Sequence, residues 1–246
     1  MKKLACIAVT MALAVAFAVP AFAQSPASNK AFLASSPNGV KVAPVNGQGW
    51  SAPVIVYNIP TALKTSNGGG VSAILSMETA LWTYNLTQAI ITADPTVKGK
   101  SSGSGSSSSR AAIKAWVELD GVAMEPGEVV YDDRLQATGL TVNLACNGTD
   151  STGAAFQTCF VTGDIELELF QRTKSANSFV FYLGPLSPTI HSIEVKAQAL
   201  IECRQNGGLV NSCPQTTLDA YTDAQTMAAI GKASLMIEEQ QNFGSQ

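Results

Sequence analysis

Two pairs of carboxylates, Glu118/Asp120 and Glu166/Glu168, are the groups in this sequence whose type and spacing first suggest chemistry. In an extended chain, residues i and i+2 point the same way, so each pair occupies one face of a strand. Two carboxylates held across a cleft are what glycoside hydrolysis needs, one as general acid and the other as base or nucleophile. The same oxygens suit calcium, which takes about six to eight oxygen ligands, and Asp132-Asp133 would add to a set around Asp120. No D-x-D-x-D-G loop or glycine–aspartate repeat accompanies them. Acidic pairs on a sheet surface ordinarily keep that face wet and stop sheets from stacking, and that is the reading adopted for both.

His191 is the only histidine. A lone imidazole cannot form the multi-histidine metal sites of cupins or zinc hydrolases. A nucleophilic serine would need a sharp, fixed turn, and the G-x-S-x-G pattern that marks one is absent. His191 shares parity with Ile193 and Val195, which predicts a ring at the rim of a sheet, partly buried and hydrogen-bonded. Trp82, Tyr84 and Trp116 are candidate ligand-binding residues. Trp82 and Tyr84 have equal parity, and Trp116 falls on the polar side of its strand, so together they could offer stacking platforms to a sugar ring. No catalytic residue, metal site or cofactor is expected.

The elements that must position these groups read as strands. In AAIKAWVELDG, Ile113, Ala115, Val117 and Leu119 alternate with Lys114, Trp116, Glu118 and Asp120. GDIELELF sets Ile165, Leu167 and Leu169 against Glu166 and Glu168, and HSIEVKAQALIEC sets Ile193, Val195, Ala197, Ala199 and Ile201 against a largely polar face. Period-two alternation of this kind marks antiparallel strands with one buried and one solvated face. Further strands are predicted at Val54–Ile59, Val71–Ser76, Thr79–Thr87, Glu128–Asp132, Leu140–Cys146, Ser178–Leu183 and Ala233–Glu239. Asp120-Gly121 signals a tight hairpin. A short helical turn is expected near Asp223–Ile230, capped by Thr222. The fold class that follows is all-β, an antiparallel β-sandwich of Ig-like or jelly-roll-like kind.

The chain opens MKKLACIAVTMALAVAFAVPAFAQ. Lys2 and Lys3, the apolar run behind them and Ala21-Phe22-Ala23 have the anatomy of a secretory signal peptide over residues 1–23, with Gln24 as the new N-terminus. Cys6 lies ahead of the apolar run and leaves with the peptide. No later apolar segment is long enough to span a membrane, so no membrane span is expected after cleavage. Of 15 basic residues two belong to this leader, and the remainder face 18 acidic ones. An acidic chain without basic clusters repels phosphate backbones, so no nucleic-acid partner is expected. The secreted or periplasmic address is oxidising, and Cys146, Cys159, Cys203 and Cys213 should pair as Cys146–Cys159 and Cys203–Cys213, each closing one turn-rich loop.

Residues 24–51 lack periodicity and are expected to be irregular. Residues 52–246 are expected to form one β-sandwich domain. Within it, KGKSSGSGSSSSR at 98–110, in which ten of thirteen residues are Gly or Ser, is read as a flexible loop and not as a linker between domains. Taken together, these features lead to an exported, non-catalytic β-sandwich with a binding or structural role at the cell envelope or outside the cell, its partner a protein or a glycan. The alternatives are a secreted carbohydrate-active enzyme using the paired carboxylates, and a fibre or appendage subunit in which segment 24–51 completes a neighbour's sheet by strand addition.

Overall fold

A computed structural model describes residues 30–34, 40–42, 49–65, 69–93, 100–145, 148–149, 152, 155–156, 164–214 and 226–240. Its strands are β1 (Lys30–Ala34), β2 (Val40–Val42), β3 (Gly49–Trp50), β4 (Val54–Lys64), β5 (Gly70–Ile90), β6 (Thr92–Ala93), β7 (Lys100–Leu119), β8 (Val122–Ala123), β9 (Val129–Ala145), β10 (Gly148–Thr149), β11 (Ala155–Phe156), β12 (Asp164–Leu183), β13 (Ile190–Gln205), β14 (Gly208–Leu209) and β15 (Met227–Gln240). The pairings are antiparallel. The first sheet runs β1-β15-β5-β12, with β2 also on β15. The second has β13 and β7 at its centre, with β3, β4 and β14 on β13, and β6, β8 and β9 on β7. The two sheets pack face to face as a β-sandwich.

The core is where the period-two pattern predicts it in β7 and β13, but not at the start of β12. There Leu167 and Leu169, expected on a buried face, are 41 % and 39 % exposed, because the core cluster does not reach that end of the strand. Val71, Ala73, Leu75 and Met77 of β5 meet Ile113, Ala115 and Val117 of β7, with Leu235 and Ile237 of β15 and Ile193 and Val195 of β13 completing the layer. Asp120 and Gly121 both have positive φ, 50° and 79°, between the paired residues Leu119 and Val122. This is the type I′ geometry whose twist suits a two-residue hairpin.

Several expected breaks do not occur. Val71–Ser76 and Thr79–Thr87 are one strand, β5, because Met77 and Thr79 continue the buried alternation. The two strands expected at Glu128–Asp132 and Leu140–Cys146 are joined in one, β9, which spans Val129–Ala145, and β12 runs unbroken from Asp164 to Leu183. The N-terminal segment is not irregular throughout: β1 and β2 lie along β15, and β3 along β13. Edge pairing uses backbone groups alone, so it needs no hydrophobic period in the added segment. The expected helical turn over Asp223–Ile230 is overridden from Met227 onward, where β15 pairs with Leu81 and Trp82 of β5.

The largest correction concerns the serine tract. From Lys100 onward it is not a loop but the first half of β7, paired with β9 along its whole length. Its composition has a steric cause. After Ile90 the chain leaves β5 and joins the second sheet as β6, paired with Ser101 and Ser102. This crossing carries the β5 backbone against β7. A Cβ on Gly103 would overlap the carbonyl of Ile90, and one on Gly105 the carbonyl of Gln88. Glycine in a strand interior marks such a close backbone approach. Further along, Ser107 and Ser109 are buried, and Ser107 Oγ lies 2.6 Å from Thr87 Oγ1. The sandwich therefore has an apolar half and a half filled by small polar side chains. Strands before the tract, β4 and β5, pair with β13, β12 and β15 after it.

Cys203 and Cys213 form a disulfide with a Cα–Cα separation of 5.3 Å. It ties the end of β13 to the turn that carries β14, and closing a loop of this size restricts the unfolded chain by about 3 kcal/mol. Cys146, Cys159 and the leader 1–23 lie outside the described residues.

Candidate functional site

His191, one residue into β13, faces inward with Ile193 and Val195 and is 2 % exposed. Three other segments meet it. Thr65 follows β4, Asp120 sits in the β7–β8 turn, and Ser187 belongs to the connection from β12 to β13. His191 Nδ1 lies 2.6 Å from Asp120 Oδ2, and Nε2 lies 2.9 Å from Thr65 Oγ1 and 3.1 Å from the Ser187 carbonyl. The order carboxylate, imidazole, hydroxyl is that of a hydrolase relay. The surroundings are not. In such a relay the hydroxyl must reach a substrate carbonyl, whereas Thr65 is buried and its hydroxyl donates to the Ser187 carbonyl at 2.8 Å. The ring bonds strand ends together at the sheet rim.

Asp120 is the solvent-facing end of this chain of bonds. Partial burial pushes its carboxyl upward, but hydrogen bonds from His191 and from the amide and hydroxyl of Ser192 outweigh that and hold it below the ordinary aspartate range. A carboxyl depressed on folding adds stability above its unfolded value, and this is lost as pH falls through the lower folded value. Urea midpoints measured from about pH 5 down to about pH 2 should therefore fall more steeply in the wild type than in Asp120→Asn. Parallel curves would remove Asp120 from the account.

The other carboxylates are engaged as well. Glu118 accepts bonds from Trp116 Nε1 at 2.8 Å and Lys196 Nζ at 2.6 Å, and these hold its carboxyl low against the opposing effect of burial. Lys196 also pairs with Glu194 at 3.1 Å. Next to them Lys114 pairs with Glu128 at 2.5 Å and lies 4.6 Å above the Trp50 ring. Trp50, paired with Leu200 of β13 and exposed, is part of the outer face of the second sheet. Glu166 accepts from Gln88 Nε2 at 2.6 Å, and Glu168 is engaged within the chain too. The two carboxylate pairs stand on different sheets, Glu118/Asp120 on and just after β7 and Glu166/Glu168 on β12.

The aromatic candidates do not form one platform. Tyr84 is 1 % exposed and Trp116 is 7 % exposed, so neither offers a ring face to a ligand. Trp82 is half-buried on the first sheet, with the Arg172 guanidinium 5.2 Å from its ring centre, while Trp116 belongs to the second. Parity assigned Trp116 to the polar face correctly, but cross-strand Lys196 and the Glu118 carboxylate cover it there.

No protein-family model matches the chain, and no curated protein matches it. The site must be judged on its own geometry. A shallow depression of about 330 Å³ on the outer face of the first sheet is lined by Ser76, Glu78, Asn177, Ser178, Lys232 and Ser234. A second, of about 200 Å³, lies beside the disulfide between Asn85, Ser107 and Gln205. The first holds a single carboxylate, Glu78, which pairs with Lys174 at 3.0 Å, and the second holds none. Among the described residues no group of three His, Cys, Asp or Glu side chains could hold a metal ion, and no helix is long and apolar enough to cross a membrane.

Thr65 and Ser187 escaped the sequence reading. Thr65 stands far from His191 along the chain, and Ser187 lies in a Pro-rich connection with no periodic signal. Only the register of β4 on β13, with Leu63 opposite His191, brings Thr65 to the ring.

Proposed function

We propose that this chain is an exported, non-catalytic β-sandwich that binds or builds at the cell envelope or outside the cell. The observation that carries the reading is the engagement of the reactive groups: His191, Asp120 and Glu118 are each tied into bonds that join strands. The anatomy of the first 23 residues and the Cys203–Cys213 bond fit an oxidising destination. Secreted protein should begin at Gln24 by N-terminal sequencing. Incubated with soluble and insoluble polysaccharides, it should release no reducing ends above a buffer control. Release that disappears in Glu118→Gln or Glu166→Gln would overturn the non-catalytic reading in favour of the carbohydrate-active alternative.

The structural version of this role has an observation of its own. β1 and β2 add themselves to β15 through backbone pairing, which is the geometry strand addition between subunits would use. That favours a building unit over a module that only captures a soluble ligand.

A further inference from the structure

β15 pairs with β5 only as far as Trp82, opposite Met227, whereas β5 continues to Ile90 with β12 along its other side. Just past the end of β15, the N–H of Tyr84 donates to Thr226 Oγ1 and its C=O accepts from the same hydroxyl, away from β12. Backbone groups of a strand alternate between its two sides, so Leu86 and Gln88 turn theirs to that side as well. The Gln88 carbonyl is packed against Gly105 of β7. Leu86 keeps an N–H and a C=O with no partner among the described residues. One open residue between two closed ones is too short for an added strand, but it presents a donor and an acceptor side by side.

Leu86 lines the depression of about 200 Å³ beside the Cys203–Cys213 bond. Asn85, 1 % exposed, lines it too, and its Oδ1 has no partner although its Nδ2 donates to the Gln136 carbonyl at 3.0 Å. Ser108, Gln205 and Ser212 add side chains without a hydrogen-bond partner among the described residues. Arg204, the charged residue among the described lining, is paired with Glu202 at 2.7 Å. The site is therefore neutral, supplied with both donors and acceptors, and smaller than the roughly 300–1,000 Å³ of pockets that take drug-sized ligands.

We propose that this depression binds an acetamido sugar, the N-acetylated hexosamine unit of a glycan. The acetamido group is a secondary amide like a peptide group, so its N–H and C=O complement the C=O and N–H of Leu86 as one residue of an added strand would. Ring hydroxyls, each both donor and acceptor, suit Asn85 Oδ1 and the side chains of Ser108, Gln205 and Ser212. The acetyl methyl suits Val210 and Pro214 of the same wall. A plain hexose offers hydroxyls but not that amide, and an ionised ligand would find no free counter-charge.

This site rests on the proposed non-catalytic role and names the glycan it would take. The test titrates the exported, disulfide-bonded protein with the methyl glycosides of N-acetylglucosamine and N-acetylgalactosamine, and with those of glucose and galactose, while its backbone amide resonances are followed. At least one acetamido glycoside should bind with a Kd at or below about 1 mM and shift the Leu86 amide. The parent hexoside should bind about tenfold more weakly, because it leaves the Leu86 groups without their matching amide. Ser212→Trp, at an exposed position on the rim, puts a bulky ring in the ligand's way and should weaken binding about tenfold or more. Melting curves are recorded first, and Gln205→Ala replaces that variant if it does not melt like the wild type. No saturable shift with either acetamido glycoside, equal binding of the parent hexoside, or unchanged binding by the folded variant would each overturn the site. Such a failure leaves the non-catalytic reading standing, whereas release of reducing ends sinks that reading without touching the titration.

Discussion

Gly105→Val should lower the stability of the protein by about 3 kcal/mol, at the upper end of the usual cost of overpacking, and Ser104→Val should leave it within about 0.5 kcal/mol. The two positions are adjacent in the same serine-rich run and differ only in what their side chains would meet. Ser104 is exposed on the outer side of β7. A Cβ on Gly105 runs into the Gln88 carbonyl, which belongs to the backbone of β5 and cannot swing aside as a flexible side chain would. Both strands are held in long ladders, β5 by β12 and β7 by β9, so relief would require several pairs to move together. For a chain of this size about 3 kcal/mol corresponds to a fall in Tm of roughly 6–12 °C. Thermal melts of the two variants beside the wild type read this directly. Equal and negligible shifts would mean that the tract bears no inter-sheet contact.

That contrast shows how the sequence could be read and where it misleads. The stretches 113–119 and 193–202 were legible because large apolar residues alternate with charged ones, and they form parts of β7 and β13. In 165–169 the same alternation marked a strand, part of β12, but misassigned its buried face, since Leu167 and Leu169 are exposed. The other half of the sandwich keeps the same period with different residues. Gly103, Gly105, Ser107 and Ser109 of β7 lie across from Asn85, Thr87 and the β5 backbone. Small polar side chains there let the sheets come close, and a hydrophobicity pattern does not register them. The same blindness split β5, β9 and β12 at their polar stretches. Parity placed residues on faces but could not say what covers a face. Trp116 is outward and still shielded, and Tyr84 is outward and buried. The hydroxyl partner of His191 was out of reach for a related reason, since it depends on the pairing of β4 with β13 and not on any local motif.

The second large effect concerns that histidine. His191→Ala should cost about 2–4 kcal/mol, the range for removing one partner from a buried polar set and leaving the others unpaired. Both ring nitrogens are committed, to Asp120 on one side and to Thr65 and Ser187 on the other, and the ring is out of water. Its loss separates three chain segments at once: the end of β4, the β7–β8 turn and the approach to β13. A relay for catalysis would behave differently, because active-site polar groups are held at a cost to stability and their removal is often neutral or stabilising. The comparison becomes sharper with Asp120→Asn and the double variant. If the ring and the carboxylate act as one staple, the double variant should be more stable than the sum of the single losses predicts, by about 0.5–3 kcal/mol. Chemical denaturation of the four proteins gives that coupling. A His191→Ala protein as stable as the wild type would show that the bonds around the ring hold nothing together, and the assignment of His191 to structure would have to be given up.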